Sequence, residues 1–441
     1  MPSTSELKNK LGLWTSTSLV AGNMIGAGVF LLPAALASYG SISLVGWLVA
    51  TTAALLLAKV FSNLSKLMPL ANGGPYAYSH KGLGDFTGFL VAWGYWISIW
   101  TANAAITVSL ISALSTFFPI LATNAIAAIL TGLAAIWLLT WINTLGIVTS
   151  GKLQLVTTLL KIIPLLLVGF VGLFYMRASN FLPFNSTGGN SFAAITATAT
   201  LTFFSFLGLE CATVPSGSVI NPEKTIPRAT MLGTGLVSII YIVSSISIMG
   251  MIPANVLQHS VTPFADAAAI IWGNGARYWV SAGVAIAAFG ALNGWILIQG
   301  QLPAAIAKDN LFPAIFGKEN KKGMPAAGIV ISSVLVSLLM VMNFSKSLAE
   351  QFKFLILMST FSVLLPYLFS SAAYIIIRIN KNVTGKWIQA ILLALMAFAF
   401  SLWAIAGAGQ ETVYWGFIFI IAGTPFYVWI IRDNKNELKN K

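Results

Sequence analysis

Long apolar runs separated by short polar segments dominate the pattern of residues along this chain. A helix that crosses the hydrocarbon core of a bilayer needs about 20 mostly apolar residues. A transmembrane β-strand is about half as long and alternates apolar with polar residues, unlike these continuous runs. We therefore predict twelve membrane helices, numbered spans 1 to 12, with the approximate bounds 12–34, 42–64, 84–116, 122–144, 153–175, 192–214, 230–252, 279–305, 326–344, 353–377, 387–408 and 412–431.

The segments between the spans are short. Residues 256–273, with Pro263 and Asp266, have the composition of a short surface or re-entrant helix. No polar region is long enough to form a separate soluble domain. Residues 1–441 are therefore predicted to form one transmembrane domain, and the long first apolar stretch without a cleavage pattern indicates no removable signal peptide.

The composition agrees with an all-α polytopic membrane protein. Of the 441 residues 57% are hydrophobic and only 8% are charged, whereas a soluble domain carries about 25% charged residues. A soluble enzyme, a disordered protein and a nucleic-acid binder are excluded on this ground. The single cysteine, Cys211, excludes a disulfide framework and a cysteine zinc cluster, and the two histidines, His80 and His259, are too few for most metal sites. No metal and no cofactor are expected.

The basic residues predict the orientation and account for the net charge of +13. Cytoplasmic loops of membrane proteins carry an excess of lysine and arginine. With the N-terminus inside, only Arg177, Arg277, Lys346 and Lys353 fall in outside loops, and Lys161 falls within a span. The other 19 of the 24 basic residues fall on the inside, where anionic headgroups attract them. Both termini are therefore predicted to be cytoplasmic.

Two spans contain weak points in mid-membrane. Gly22, Gly26 and Gly28 lie within seven residues in span 1, and glycine weakens a helix by about 1 kcal/mol relative to alanine. In span 6, Gly208 is followed by Glu210, a carboxylate inside an apolar run. Close helix packing would also explain the glycines, and a protonated or paired side chain would explain Glu210. Two weak points five spans apart are nevertheless typical of transporters with inverted repeats and a substrate site at broken helices.

Eight segments of the chain are specific enough to indicate a family: GNMIGAGVFLLPAALASYGSISLVGWL from residue 22, GGPYAY at 73–78, YW…N between Tyr95 and Asn103, FSFLGLE at 204–210, NPEKTIPRAT at 221–230, GW at 294–295, AKDNLFP at 307–313 and LPY at 365–367. They resemble the amino acid–polyamine–organocation transporters, and most closely their basic amino acid/polyamine antiporter branch, such as the arginine/agmatine exchanger.

The resemblance implies a LeuT-like fold of five plus five inverted helices, in which helices 1 and 6 are discontinuous. Residues 12–175 would form the first repeat, residues 192–377 the second, and residues 387–431 two additional helices. The resemblance also implies a location in a bacterial inner membrane, a small amino acid or amine as substrate, and a homodimer that spans 11 and 12 could form.

The resemblance further implies a set of substrate-binding residues. The unwound stretch of helix 1, which binds the substrate α-carboxylate and amine in the arginine/agmatine exchanger, matches Asn23, Ile25, Gly26, Ala27 and Gly28. Ala27 replaces a serine of that exchanger, which removes one hydroxyl contact. The remaining residues of the implied pocket are Ser98, Asn103, Phe204, Ser205, Leu207, Trp295 and Ser359.

Several of these positions depart from the arginine/agmatine exchanger. Phe204 replaces a tryptophan, which keeps a ring but a weaker cation–π partner. Ser98 and Ile99 replace an alanine and a cysteine. These changes argue against specificity for arginine but not against binding of an amino acid. Tyrosines that gate the pathway in the family match Tyr76, Tyr95 and Tyr367, and simple aromatic packing is the alternative role for each. Glu210 is assigned to gating or to proton coupling.

Lys161 lies in span 5, three residues before Pro164, where the arginine exchanger has a small apolar residue. Proton-coupled relatives have a lysine there, in the place that sodium takes in sodium-driven ones. Burial disfavours the charged form of a lysine, so gain and loss of its proton could bias the two faces of the carrier. The alternative is that Lys161 extends along the helix to the cytoplasmic interface.

Two transport functions stay open. One is exchange of a basic amino acid for its amine product, and the other is proton-coupled uptake of a broader or neutral amino acid. An intramembrane enzyme is not indicated, because neither an HExxH motif nor a pair of membrane aspartates occurs. A channel would need rings of polar residues, and the nucleotide motif GxxxxGK[ST] is missing from the sequence.

Overall fold

The computed structural model of the protein describes residues 10–342 and 348–439, without the side chains of residues 27–28, 147–152, 349 and 433–439. Eleven helical stretches in this part of the chain are long and apolar enough to cross a bilayer. Their bounds are Leu13–Ala37, Ser43–Leu67, Asp85–Leu114, Ala125–Thr144, Leu153–Tyr175, Ser191–Thr213, Pro222–Met251, Ala276–Lys308, Glu350–Asn380, Trp387–Gly407 and Gln410–Arg432.

These stretches correspond to the predicted spans except span 9. There the structure has the helix Ala326–Met342 of 17 residues, which ends where residues 343–347 fall outside the description. At a rise of 1.5 Å per residue this helix is about 26 Å long, close to the lower limit for a membrane helix. The all-helical architecture is thus confirmed for the described residues, and a crossing by span 9 stays a prediction.

Span 1 is interrupted at its glycine-rich point. An α-helix runs over Leu13–Met24 and a second over Ala27–Ala37. Between them, Ile25 has ψ 77° and Gly26 has φ −116° and ψ −138°, both outside the helical region. The interruption therefore falls within the glycine cluster on which the prediction of a weak point depended.

Span 6 is interrupted more extensively than its sequence predicted. Its α-helix covers only Ser191–Phe203. Leu207 is extended, and Gly208 has φ +107°, a conformation that side chains with a Cβ rarely adopt. The break begins before the predicted weak point at Gly208, and the second half of the span predicted over 192–214 forms short 3₁₀ turns, including Cys211–Thr213 and Ser216–Ser218.

Shorter helices lie between the spans. Pro75–Leu83 precedes span 3, and Pro263–Trp272 precedes span 8. The second of these confirms the short helix predicted within residues 256–273. It is fixed by an ion pair of 3.0 Å between Asp266 and Arg277, at the start of span 8.

Span 3 forms the centre of the bundle, since it packs mainly against spans 8 and 10. In its most apolar window 89% of the residues are buried, compared with 33% for span 11 and 22% for span 12. Spans 11 and 12 therefore lie at the perimeter, where exposed apolar side chains suit contact with lipid. The two interrupted spans lie inside, where irregular backbone can be shielded from lipid.

Candidate functional site

A small cavity lies where the two interrupted spans meet spans 3 and 8. The interruptions touch each other: a Cβ added to Gly208 would come within 3.0 Å of the Asn23 Cβ. The lining residues are Asn23, Met24, Gly26, Ala102, Ile106, Phe204, Leu207 and Trp295. The cavity is therefore bounded by both breaks and by mostly apolar side chains.

Side chains of neighbouring spans donate hydrogen bonds to backbone carbonyls at the break in span 1. The Trp295 indole Nε1 donates to the Asn23 carbonyl at 3.2 Å, and the Tyr241 hydroxyl donates to the Met24 carbonyl at 2.5 Å. These carbonyls lack their usual helical partners because the helix ends here. The side chains of spans 7 and 8 thus stabilise the non-helical backbone that lines the cavity.

Five of the twelve predicted binding residues line the cavity: Asn23, Gly26, Phe204, Leu207 and Trp295. Ile25 is fully buried beside it, and the side chains at positions 27 and 28 lie outside the described part. The other four, Ser98, Asn103, Ser205 and Ser359, are buried but are not lining residues.

Four buried polar atoms on or near the cavity have no hydrogen-bond partner among the described residues: Asn23 Nδ2, Ser98 Oγ, Asn103 Oδ1 and Ser205 Oγ. Buried polar groups are nearly always hydrogen-bonded in native proteins. The remaining polar groups here are occupied, since Ser359 Oγ donates to the Ser98 carbonyl at 2.8 Å and Asn103 Nδ2 to Gln299 Oε1 at 2.7 Å. The unpaired set gives the site the capacity to bind a polar ligand.

Two aromatic rings face the cavity from opposite elements. Trp295 and Phe204 are both buried. Phe204 also packs edge-to-face on Phe352, with ring centroids 6.2 Å apart. Phe352 lines a second, larger cavity together with His259 and Lys353, so the contact between Phe204 and Phe352 joins the walls of the two cavities.

Glu210 is held by two of the tyrosines that the sequence marked. Tyr95 donates to its Oε1 at 2.6 Å, and Tyr367 donates to its Oε2. The Gly208 amide also donates to Oε2, at 3.3 Å. The carboxyl group, which is fully buried, thus joins spans 3 and 10 to the break in span 6. Sequence reasoning named all three side chains but did not predict that they bond to one another.

Tyr76 lies apart from this group, on the Pro75–Leu83 helix. Its hydroxyl donates to Asp309 Oδ2 at 2.6 Å, just past the end of span 8, and its ring stacks on His80. Burial, reinforced by Asp309, raises the pKa of Tyr76. The phenol therefore stays protonated and remains a donor at physiological pH.

Lys161 is fully buried and reaches into the protein. Its ammonium Nζ donates to the Gly22 carbonyl in the last turn before the break in span 1. The side chain therefore does not extend to the interface. Among the described residues its hydrogen bond goes to span 1 and none goes to a carbonyl of span 8.

Sequence reasoning missed several residues of this region. Met24, Ala102 and Ile106 line the cavity but are ordinary apolar residues in a chain that is mostly apolar. Gln154 donates from Nε2 to Asn23 Oδ1 at 3.3 Å. A buried glutamine in span 5 was a visible polar signal that could have identified it.

Comparison with known proteins agrees with this arrangement. Residues 11–431 match the amino acid permease family. The chain is 33% identical over 434 residues to the cadaverine/lysine antiporter of Escherichia coli strain K12, covering 97% of this chain and 96% of that protein.

Two further relatives are more distant. The putrescine transporter of Haemophilus influenzae is 30% identical, with 97% of this chain and 98% of that protein covered. The arginine/ornithine antiporter of Pseudomonas aeruginosa is 30% identical, with 92% and 88% covered. Since family and relatives extend over nearly the whole chain, the protein belongs to the amino acid permease family of multi-pass membrane transporters and is not an enzyme.

Proposed function

We propose that this protein exchanges a basic amino acid for its amine product across a bacterial inner membrane by alternating access. The cavity between the two interrupted spans carries the proposal. Broken helices in transporters offer oriented backbone amides and carbonyls to the charged groups of a substrate. Two of the relatives are a cadaverine/lysine antiporter and an arginine/ornithine antiporter, which supports a cationic substrate.

Within this proposal the substrate α-carboxylate and amine contact the backbone of residues 23–28 and 204–208. The substrate side chain lies between Trp295 and Phe204, where an aromatic face attracts a cation by about 0.5–2 kcal/mol. The unpaired Asn103 Oδ1 and Ser98 Oγ, buried on span 3, would accept hydrogen bonds from its terminal amine. Tyr95, Tyr367 and Glu210 form an inner gate, and Tyr76 a second gate nearer the cytoplasm.

The proposed scaffold is a LeuT-like fold of twelve spans. Residues 12–175 and 192–377 form the two inverted repeats, and residues 387–431 form the additional helices. The interruptions at equivalent places in spans 1 and 6 support this division. Both termini are cytoplasmic in this arrangement.

Counterflow into liposomes that contain the purified protein tests the exchange. Vesicles loaded with lysine, arginine, ornithine, their amines, or neutral amino acids are exposed to each labelled compound outside. We expect uptake only when a basic amino acid or its amine is present on both sides. Uptake driven by neutral amino acids, with none by basic compounds, would contradict the proposed substrate class.

The second candidate is proton-coupled uptake of a broader or neutral amino acid, and the bond between Lys161 and the Gly22 carbonyl favours it. Protonated, Lys161 stabilises the end of the first half of span 1; neutral, it releases that carbonyl. In Lys161→Ala we expect the dependence of uptake on pH between 5 and 8 to flatten. An unchanged pH profile with full accumulation would leave Lys161 a structural side chain.

A further inference from the structure

We propose that Thr158 forms the proton route between Lys161 and an inner crevice that Gln154 lines. This inference rests on the proposed role of Lys161 as the proton-binding group. The crevice shares no lining residue with the substrate cavity. It extends from Leu11 and Pro215, near the ends of spans 1 and 6, to Gln154 in span 5.

Lys161, Thr158 and Gln154 share one face of span 5. Their spacings of three and four residues place neighbouring side chains one helical turn apart, with Cβ atoms about 5–6 Å from each other. All three face Gly22. A Cβ added to Gly22 would lie 2.5 Å from both Thr158 Oγ1 and Gln154 Nε2, and the Lys161 ammonium bonds to the Gly22 carbonyl.

The Thr158 hydroxyl differs from that of its neighbour. Thr157 Oγ1 donates to the Leu153 carbonyl at 2.8 Å, which is the usual bond of a helical threonine to the residue four positions earlier. Thr158 Oγ1 has no partner among the described residues although its side chain is only 3% exposed. Gln154 Oε1 is unpaired in the same way. Two unpaired polar atoms thus lie on the face of span 5 that carries Lys161 and that lines the crevice at Gln154.

A hydroxyl is both a donor and an acceptor, so it can pass a proton without changing its own composition. Lys161 Nζ gives one proton to Thr158 Oγ1 as Thr158 releases its own hydroxyl proton to a water molecule beside Gln154, the residue of this face that lines the crevice. The N–H bond of Lys161 breaks and a new O–H bond forms on Thr158. The original O–H bond of Thr158 breaks, and its proton passes to the water. Gln154 Oε1 accepts a hydrogen bond from that water and positions it.

Other ionisable groups do not offer a competing route within the described residues. No ionisable residue lines the crevice in the described part of the chain. Its polar lining residues are Thr15, Ser18, Gln154, Asn293 and Gln301. On the packed elements, Tyr241 bonds to the Met24 carbonyl and Glu210 to two tyrosines. Cys211 is buried beside Glu210.

The test compares Thr158→Val with Thr157→Val in liposomes that contain a pH-sensitive dye. Both substitutions remove a hydroxyl from adjacent buried threonines, and only one hydroxyl lies on the route. In Thr158→Val we expect substrate-driven proton entry to slow by about tenfold or more, as when a proton-transfer group is lost. Thr157→Val should stay near wild type, and Thr158→Ser should restore the rate.

Counterflow of labelled lysine, with equal pH on both sides, shows that each variant is folded and binds substrate. If Thr158→Val lacks counterflow, Thr158→Ala takes its place in the same comparison. Proton entry at the wild-type rate in a counterflow-competent Thr158 variant would overturn the route. Absence of substrate-driven proton entry in the wild type itself would instead overturn the proposed role of Lys161, so the two failures are distinguishable.

Discussion

The sequence identified the ionisable residues of the site but neither their bonding partners nor its apolar lining residues. Glu210 and Lys161 could be singled out because an ionisable group inside an apolar span is costly and therefore conspicuous. Their partners could not, since the bonds to Tyr95 and to the Gly22 carbonyl join segments 115 and 139 residues apart. Apolar lining residues such as Ile106 carry no chemical signal and become visible only when the packing of the spans is known.

Trp295 gives a prediction at this scale. In Trp295→Leu we expect binding of lysine to weaken by about 2- to 30-fold more than binding of a neutral amino acid, because a cation loses its aromatic partner. Trp295→Phe is the matched control: it keeps a ring but loses the indole N–H that bonds to Asn23. Competition binding on purified protein measures the affinity of each variant for lysine and for a neutral amino acid. Equal losses of affinity for the two ligands in Trp295→Leu would mean that the ring contributes only to packing.

At the scale of elements, the position of a break was predictable but its extent was not. Glycines marked the interruptions in spans 1 and 6. The sequence after Gly208 remains apolar, however, and apolar periodicity cannot distinguish an α-helix from successive 3₁₀ turns. The 3₁₀ conformation of Cys211–Thr213 depends on tertiary contacts, including the buried bonds to Glu210.

Gly208 tests the importance of the break. A residue other than glycine would be strained by about 1–3 kcal/mol at the φ of +107° that Gly208 adopts. An added Cβ would also come within 3.0 Å of the Asn23 Cβ. We expect Gly208→Ala to lower the thermal midpoint in detergent and to weaken lysine binding.

Gly235→Ala is the control for that substitution. Gly235 lies within span 7, and an added Cβ would meet no atom within 4 Å. Because alanine favours a helix by about 1 kcal/mol over glycine, this variant should keep or raise the midpoint. Equal midpoints and affinities for Gly208→Ala and Gly235→Ala would argue against a functional break at Gly208.

At the scale of the whole molecule, the hydrophobic pattern predicted eleven of the twelve spans as long helices in the right order, because the bilayer fixes their length. The short helix Ala326–Met342 is the exception. The pattern could not predict which spans form the centre, since span 3 and span 12 are similarly apolar and differ only in their neighbours.

Topology is tested by thiol labelling of intact cells. Cys211 is buried and is replaced by alanine, after which single cysteines are placed at Thr187, Lys321 and Lys353, all exposed. If both termini are cytoplasmic and span 9 crosses, Thr187→Cys and Lys353→Cys react with an impermeant reagent, and Lys321→Cys reacts only after permeabilisation. The same accessibility for Lys321→Cys and Lys353→Cys would show that span 9 does not cross.

The central claim is that a basic amino acid and its amine exchange through the cavity between the two interrupted spans. Labelled lysine uptake into liposomes loaded with cadaverine, for wild type and Gly26→Val, measures this most directly. A Cβ on Gly26 would already meet the Ala291 Cβ at 3.2 Å, so valine should fill the approach to the backbone. We predict exchange in the wild type and none in a Gly26→Val protein that retains its thermal midpoint. Exchange at the wild-type rate and affinity in that variant would contradict the location of the site.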